Sequence, residues 1–166
     1  MSRYDDLCNR YAKARGAAEA RRDRCAAVVE KLRERVRVQL GAPEDAVGYR
    51  ALDADTDEPT ALPLTEALSV AEDGAWQVGI QIMLRDPAKP DAPFHIFFGV
   101  RMREDDGRLV VSLSDDDPGR AVSADDGAAI EAVAADAQRR LEDWLAANLD
   151  RALGAPGAPE RYGVYL

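Results

Sequence analysis

Histidine occurs once in this chain of 166 residues, at His95, and cysteine twice, at Cys8 and Cys25. With one histidine and no C-x-x-C pair, a structural zinc site has no ligand set to draw on. Any nucleophile–base arrangement has to use His95 or a carboxylate. The two cysteines fall inside one predicted helix, about 25 Å apart at about 1.5 Å per residue, so they cannot bridge there. Their apolar neighbours Leu7, Val28 and Val29 lead us to expect two small buried hydrophobes.

Long apolar runs are missing too. Nothing approaches the roughly 18–20 residues that span a bilayer. The first residues, MSRYDDLCNRYAKAR, carry no apolar stretch of a secretory signal, so no membrane and a cytoplasmic location are expected. G-x-S-x-G, G-x-G-x-x-G, the phosphate-cradling G-x-x-x-x-G-K-S/T and the zinc motif HExxH are all absent, and no cofactor or metal is expected. Asp53, Asp55, Asp57 and Glu58 open with the rhythm of a calcium loop. The required glycine is replaced by Glu58 and the bidentate glutamate by Leu64, which argues against calcium.

What is present is a sheet with its faces already labelled. Trp76, Val78, Ile80, Ile82 and Leu84 alternate with Gln77, Gly79, Gln81, Met83 and Arg85. Phe94, Ile96, Phe98, Val100 and Met102 alternate with His95, Phe97, Gly99, Arg101 and Arg103. Leu109, Val111 and Leu113 follow. Period two over three adjoining segments predicts an antiparallel meander with one core face and one polar face. Asp105-Asp106-Gly107 reads as a hairpin turn, whereas the connection 86–93, with three prolines, reads as too long for one. Val47–Leu52 is a further short strand, and 114–120 an acidic loop.

Two helices flank the sheet. The first runs from about Arg3 to Leu40, opened by a Ser2/Asp5 capping box and stopped by Gly41 and Pro43. Its apolar stripe is Leu7, Tyr11, Ala14, Ala18, Cys25, Val29, Leu32, Val36 and Leu40. Such a helix measures about 57 Å, against a radius of gyration of roughly 15 Å for a compact chain this size. It must overhang the domain or bend, Gly16 being the natural bend. The second helix is expected over about 124–153, entered through Ser123 and Asp126. Together these elements make an α+β fold: long N-terminal helix, four- to five-stranded antiparallel meander, and C-terminal helix packed on one face. We take 1–153 as one domain, and 154–166 as a Pro/Gly linker and apolar tail that adds a strand in cis or in trans.

Charge is unevenly spread. Positions 10–37 hold ten basic and four acidic residues, or +6, leaving −15 elsewhere in a chain of net −9. The basic helix therefore lies against an acidic body or reaches for an anionic partner. Nucleic acid is disfavoured, because the acidic body repels a polyanion. A parallel coiled coil is also disfavoured, since Arg10, Arg15, Arg22, Arg24 and Lys31 flank its seam while Arg21 and Arg35 occupy core positions.

The expectation is a non-enzymatic interaction module, an adaptor, chaperone-like or inhibitor subunit, acting through the basic helix and the polar sheet face. A protein partner is implied, with a homodimer second. The alternative is a small-ligand or phosphate-binding enzyme built on His95, Arg101, Arg103 and Arg85, with Gln81 beside them. That would require these groups to converge on a concave pocket.

Overall fold

A computed structural model of the chain describes residues 2–52, 61–154 and 161–163. Helix α1 spans Arg3–Gln39 without a break, and Gly16 lies inside it with open space around its Cα. Its capping box is formed: Ser2 Oγ accepts from Asp5 N at 3.1 Å, and Asp5 accepts in return from Ser2 N at 2.8 Å. A 3-10 turn, Glu44–Ala46, leads into β1, Val47–Arg50. A single helical turn α2, Leu64–Ala67, and the short β2, Ser69–Val70, precede the meander. That comprises β3, Trp76–Asp86, β4, Lys89–Asp105, and β5, Arg108–Ser112. Then come β6, Arg120–Val122, the long helix α3, Gly127–Gly154, and β7, Arg161–Gly163.

The α+β class and the antiparallel meander are as the alternation predicts. The main path runs β1-β3-β4-β5-β6, with β2 added to β3 and β7 to β4. Val78 faces Val100, Ile80 faces Phe98 and Ile82 faces Ile96 across the β3–β4 pair. Asp106 (φ 48) and Gly107 (φ 74) make the β4–β5 turn, the left-handed pair that a two-residue hairpin requires.

Both long helices cover the apolar face. Cys25, Val28, Val29, Leu32 and Val36 of α1, with Ile130, Val133, Ala137 and Leu141 of α3, join Val78, Ile80, Ile96, Phe98, Val100 and Met102 in one core. A fully buried aliphatic or aromatic side chain contributes roughly 1.5–3 kcal/mol, so the C-terminal half of α1 is a structural wall of the domain. Trp76, Phe94, Trp144 and Leu145 pack half-buried on its margin.

Several expectations are corrected. The 86–93 connection is a tight hairpin, with Asp86 paired to Lys89 and a register shift between Leu84 and Asp86. Its prolines are tolerated because this end of β4 pairs only with β3, so a missing N–H can point outward. The acidic loop 114–120 ends in a strand, as Arg120 already pairs with Val111. Helix α3 starts three residues late: Asp126 Oδ1 accepts from Ala129 N at 2.9 Å and is the cap itself. β1 stops at Arg50, two residues early. Cys8 is exposed, and only Cys25 is buried. Arg161–Gly163 of the tail forms β7, parallel to His95–Phe97 of β4, which is the in-chain one of the two arrangements expected. The calcium-like run at 53–58 lies outside the described residues.

Candidate interaction surfaces

The first surface is the front half of α1. Every residue from Ser2 to Arg24 is exposed, and burial begins abruptly at Cys25. At about 100° per residue, Leu7, Tyr11, Ala14 and Ala18 fall within about 40° of the direction in which Cys25 enters the core. The stripe that builds the core therefore continues in phase past the edge of the sheet, with nothing described opposite it. Tyr4, Leu7 and Tyr11 are left 73%, 62% and 68% exposed. Single exposed apolar residues are ordinary; three large ones in line on one helix face form an exposed apolar patch.

The helix's excess of positive charge is largely spent at home. Arg21 and Arg24 both reach Glu104 on β4, at 2.7 and 3.3 Å. Arg22 donates to Thr65 O at 3.0 Å and Lys31 to Ala124 O at 2.7 Å. Arg33 donates to Val47 O and Glu44 O, and Arg35 pairs with Glu131 of α3 at 2.9 Å. Within the projecting part, Arg10 pairs with Asp6 and Arg15 with Glu19. Residues 3–20 hold four cations and three anions. The arm is close to neutral.

The second surface is the polar sheet face. It carries all five expected site residues but does not gather them. Gln81 and His95 do meet: the amide Nε2 lies 3.0 Å from imidazole Nδ1, where the N–H donates to the ring nitrogen. Arg101 sits six residues further along β4, about 20 Å away at strand rise. Its guanidinium clasps two loops, Nη1 to Asp115 at 2.6 Å and Nη2 to Asp73 at 2.7 Å. Asp73 is held below the usual carboxylate range by the Ala75 amide and by Arg101. Arg85, at the opposite end, pairs with Asp45 at 2.5 Å and lowers its pKa. Arg103 is exposed. An anion at Arg101 or Arg85 would have to displace a carboxylate already in place.

Arg50 belongs to this face as well. This cation is 4% exposed, and its guanidinium carbon lies 4.0 Å from the centre of the Phe97 ring, a close cation–π contact. Gly79 makes it possible, because a Cβ there would stand 2.6 Å from Arg50 Cγ. Nothing in the sequence near position 50 signals this; it depends on the register that puts Arg50 opposite Gly79.

Among the described residues, grooves on the helical side or its rim are lined by other residues than these five. One, of about 690 Å³, sits at the root of the arm between Arg24, Val28, Leu109 and Val122. Another, of about 550 Å³, is bounded by Asp117, Arg120 and Arg140. The third, of about 560 Å³, lies between Glu34, Arg35 and Ile130. Asp117 is a loop organiser: burial pushes its pKa up, but amides of Leu113 and Gly119 and nearby Arg140 bring it below the ordinary value. Burial pushes the Cys25 thiol up to about 11, which makes it inert. Among the described residues no cluster of three or more His, Cys, Asp or Glu is placed to hold a metal, and no helix is long and apolar enough to cross a membrane. No protein-family model, curated protein or solved structure matches this chain.

Proposed function

We propose that this chain is a non-enzymatic protein-interaction module that presents the front of α1 to a protein partner. The observation that carries the reading is the in-phase stripe Tyr4–Leu7–Tyr11, exposed on a helix whose other half is core. A helix laid into a groove or against another helix is read through anchors at this spacing. The polar sheet face, with His95, Arg101 and Arg103 but not the buried Gln81, is a secondary contact area in this reading. Two free thiols suit a reducing, cytoplasmic setting.

The phosphate-binding enzyme has less support, because its cations are spread along the sheet and two are already paired. The experiment is removal of residues 1–20. The shortened chain is expected to keep a cooperatively folded body, melting close to the full-length protein. A loss of more than about 10 °C, equivalent to several kcal/mol in a domain this size, would make the arm a part of the core and end the proposal.

A further inference from the structure

Resting on that reading, we infer that the partner of the arm is the arm of a second copy, packed antiparallel. Three features of residues 3–24 point to it.

Side-chain size is graded along the stripe. Tyr4, Leu7 and Tyr11 occupy the tip, and Ala14 and Ala18 the root. Parallel pairing stacks large on large at one end and alanine on alanine at the other, so the helices would have to diverge. Antiparallel pairing sets Leu7 against Ala18 and Tyr11 against Ala14 of the other copy, so these central layers have similar volume. Uniform helix spacing follows.

Charge follows the same preference. In the three-four frame of the stripe, a parallel pair brings Arg10 of each copy beside Arg15 of the other, repeated on both sides of the seam. Reversing one helix moves Arg10 beside Ala17 and Arg15 beside Cys8. The cations that would crowd a longer seam, Arg21, Arg24 and Arg35, are turned onto Glu104 and Glu131 of their own chain. Residues 3–20, with four cations and three anions, are poorly suited to capturing a strongly acidic partner and well suited to pairing with themselves.

Length agrees as well. In the register that joins Leu7 to Ala18, Tyr4 of one copy is level with Arg21 of the other. The tip of each arm thus stops where the other body begins, one turn from the root groove at Arg24 and Val28. The exposed 22 residues, Arg3–Arg24, are used end to end.

The test is solution mass across a concentration series for the full chain and for a Leu7→Asp/Tyr11→Asp double variant, combined with mild oxidation. The full chain should be a dimer. The double variant, altered only on exposed positions, should keep the unfolding transition of its body while weakening the dimer at least about thirtyfold, the scale of one lost anchor. Cys8 should not bridge to its counterpart, because antiparallel register separates the two by nine residues, about 14 Å along the axis; buried Cys25 takes no part. A dimer that crosslinks readily through Cys8 is parallel and overturns the arrangement. A dimer indifferent to the double variant is made elsewhere and also overturns it. A full-length monomer whose residues 1–20 can be removed harmlessly overturns the second-copy assignment but leaves the interaction reading; one whose body melts on truncation overturns both.

Discussion

The two halves of α1 carry the same kind of stripe and meet opposite fates. From Cys25 to Val36 the apolar positions are fully covered; from Tyr4 to Ala18, in the same phase, they stand in solvent. Propensity does not separate them, nor does spacing. What differs is the element opposite: the rear half faces α3, β1 and β3, and the front half runs beyond the end of the sheet. A stripe is thus a demand for burial that a helix makes along its whole length, and the rest of the chain decides how much of it is met within one copy.

Substitutions should expose this contrast, most strongly at equivalent leucines. Leu32→Ala, in the covered half, should cost about 2–5 kcal/mol in denaturant unfolding of the body. Leu7→Ala should leave that transition within about 0.5 kcal/mol. Equal costs at the two sites would erase the distinction between arm and wall.

The next effect concerns what holds the wall in place. Asp117→Ala strips acceptors from Leu113 N and Gly119 N beside α3 and should cost about 1–3 kcal/mol. Because the folded pKa of Asp117 is depressed, the unfolded chain binds more protons on the acid side. The carboxylate's stability is therefore present above its unfolded pKa and lost as pH falls through the folded one. Urea titrations between about pH 3 and pH 7 should show an acid limb that Asp117→Ala flattens.

In the arm the corresponding acid-sensitive group is Asp5, held low by Ser2. Ser2→Ala should fray the first turn, removing about 1 kcal/mol of capping, read as a small loss of helical ellipticity with no change in body unfolding. The smallest effect should come at the boundary. Glu104→Ala releases Arg21 and Arg24, and partly exposed pairs of this kind contribute below about 1 kcal/mol. Faster hydrogen exchange confined to residues around 20–24 would mark the root loosening. A change reaching Leu32 would show the boundary lying deeper than Cys25.

Much of this architecture was legible in the residues because the pattern was long. β3, β4 and β5 announced themselves by alternation, and the Ser2/Asp5 cap and the Asp106-Gly107 turn by local chemistry. β6 was hidden, since three residues carry no period. The Pro-containing start of β4 is not legible locally, because a proline's tolerance depends on whether its side of the strand has a neighbour, which β5 and β7 decide by where they stop. The candidate polar site was only half legible: alternation put His95, Arg101, Arg103, Arg85 and Gln81 on one face, but a shared face does not bring residues together. Six residues along a strand are about 20 Å.

By itself, then, the sequence determined which residues share a face, where the long helix begins and where the hairpin between β4 and β5 turns, because those follow from period and local hydrogen bonding. Tertiary structure alone decided that Arg50 lies over Phe97, that Arg21, Arg24 and Arg35 of α1 pair with Glu104 and Glu131, and that burial stops at Cys25. Each of these depends on which distant segment arrives opposite, and non-local packing is written in no single stretch of chain.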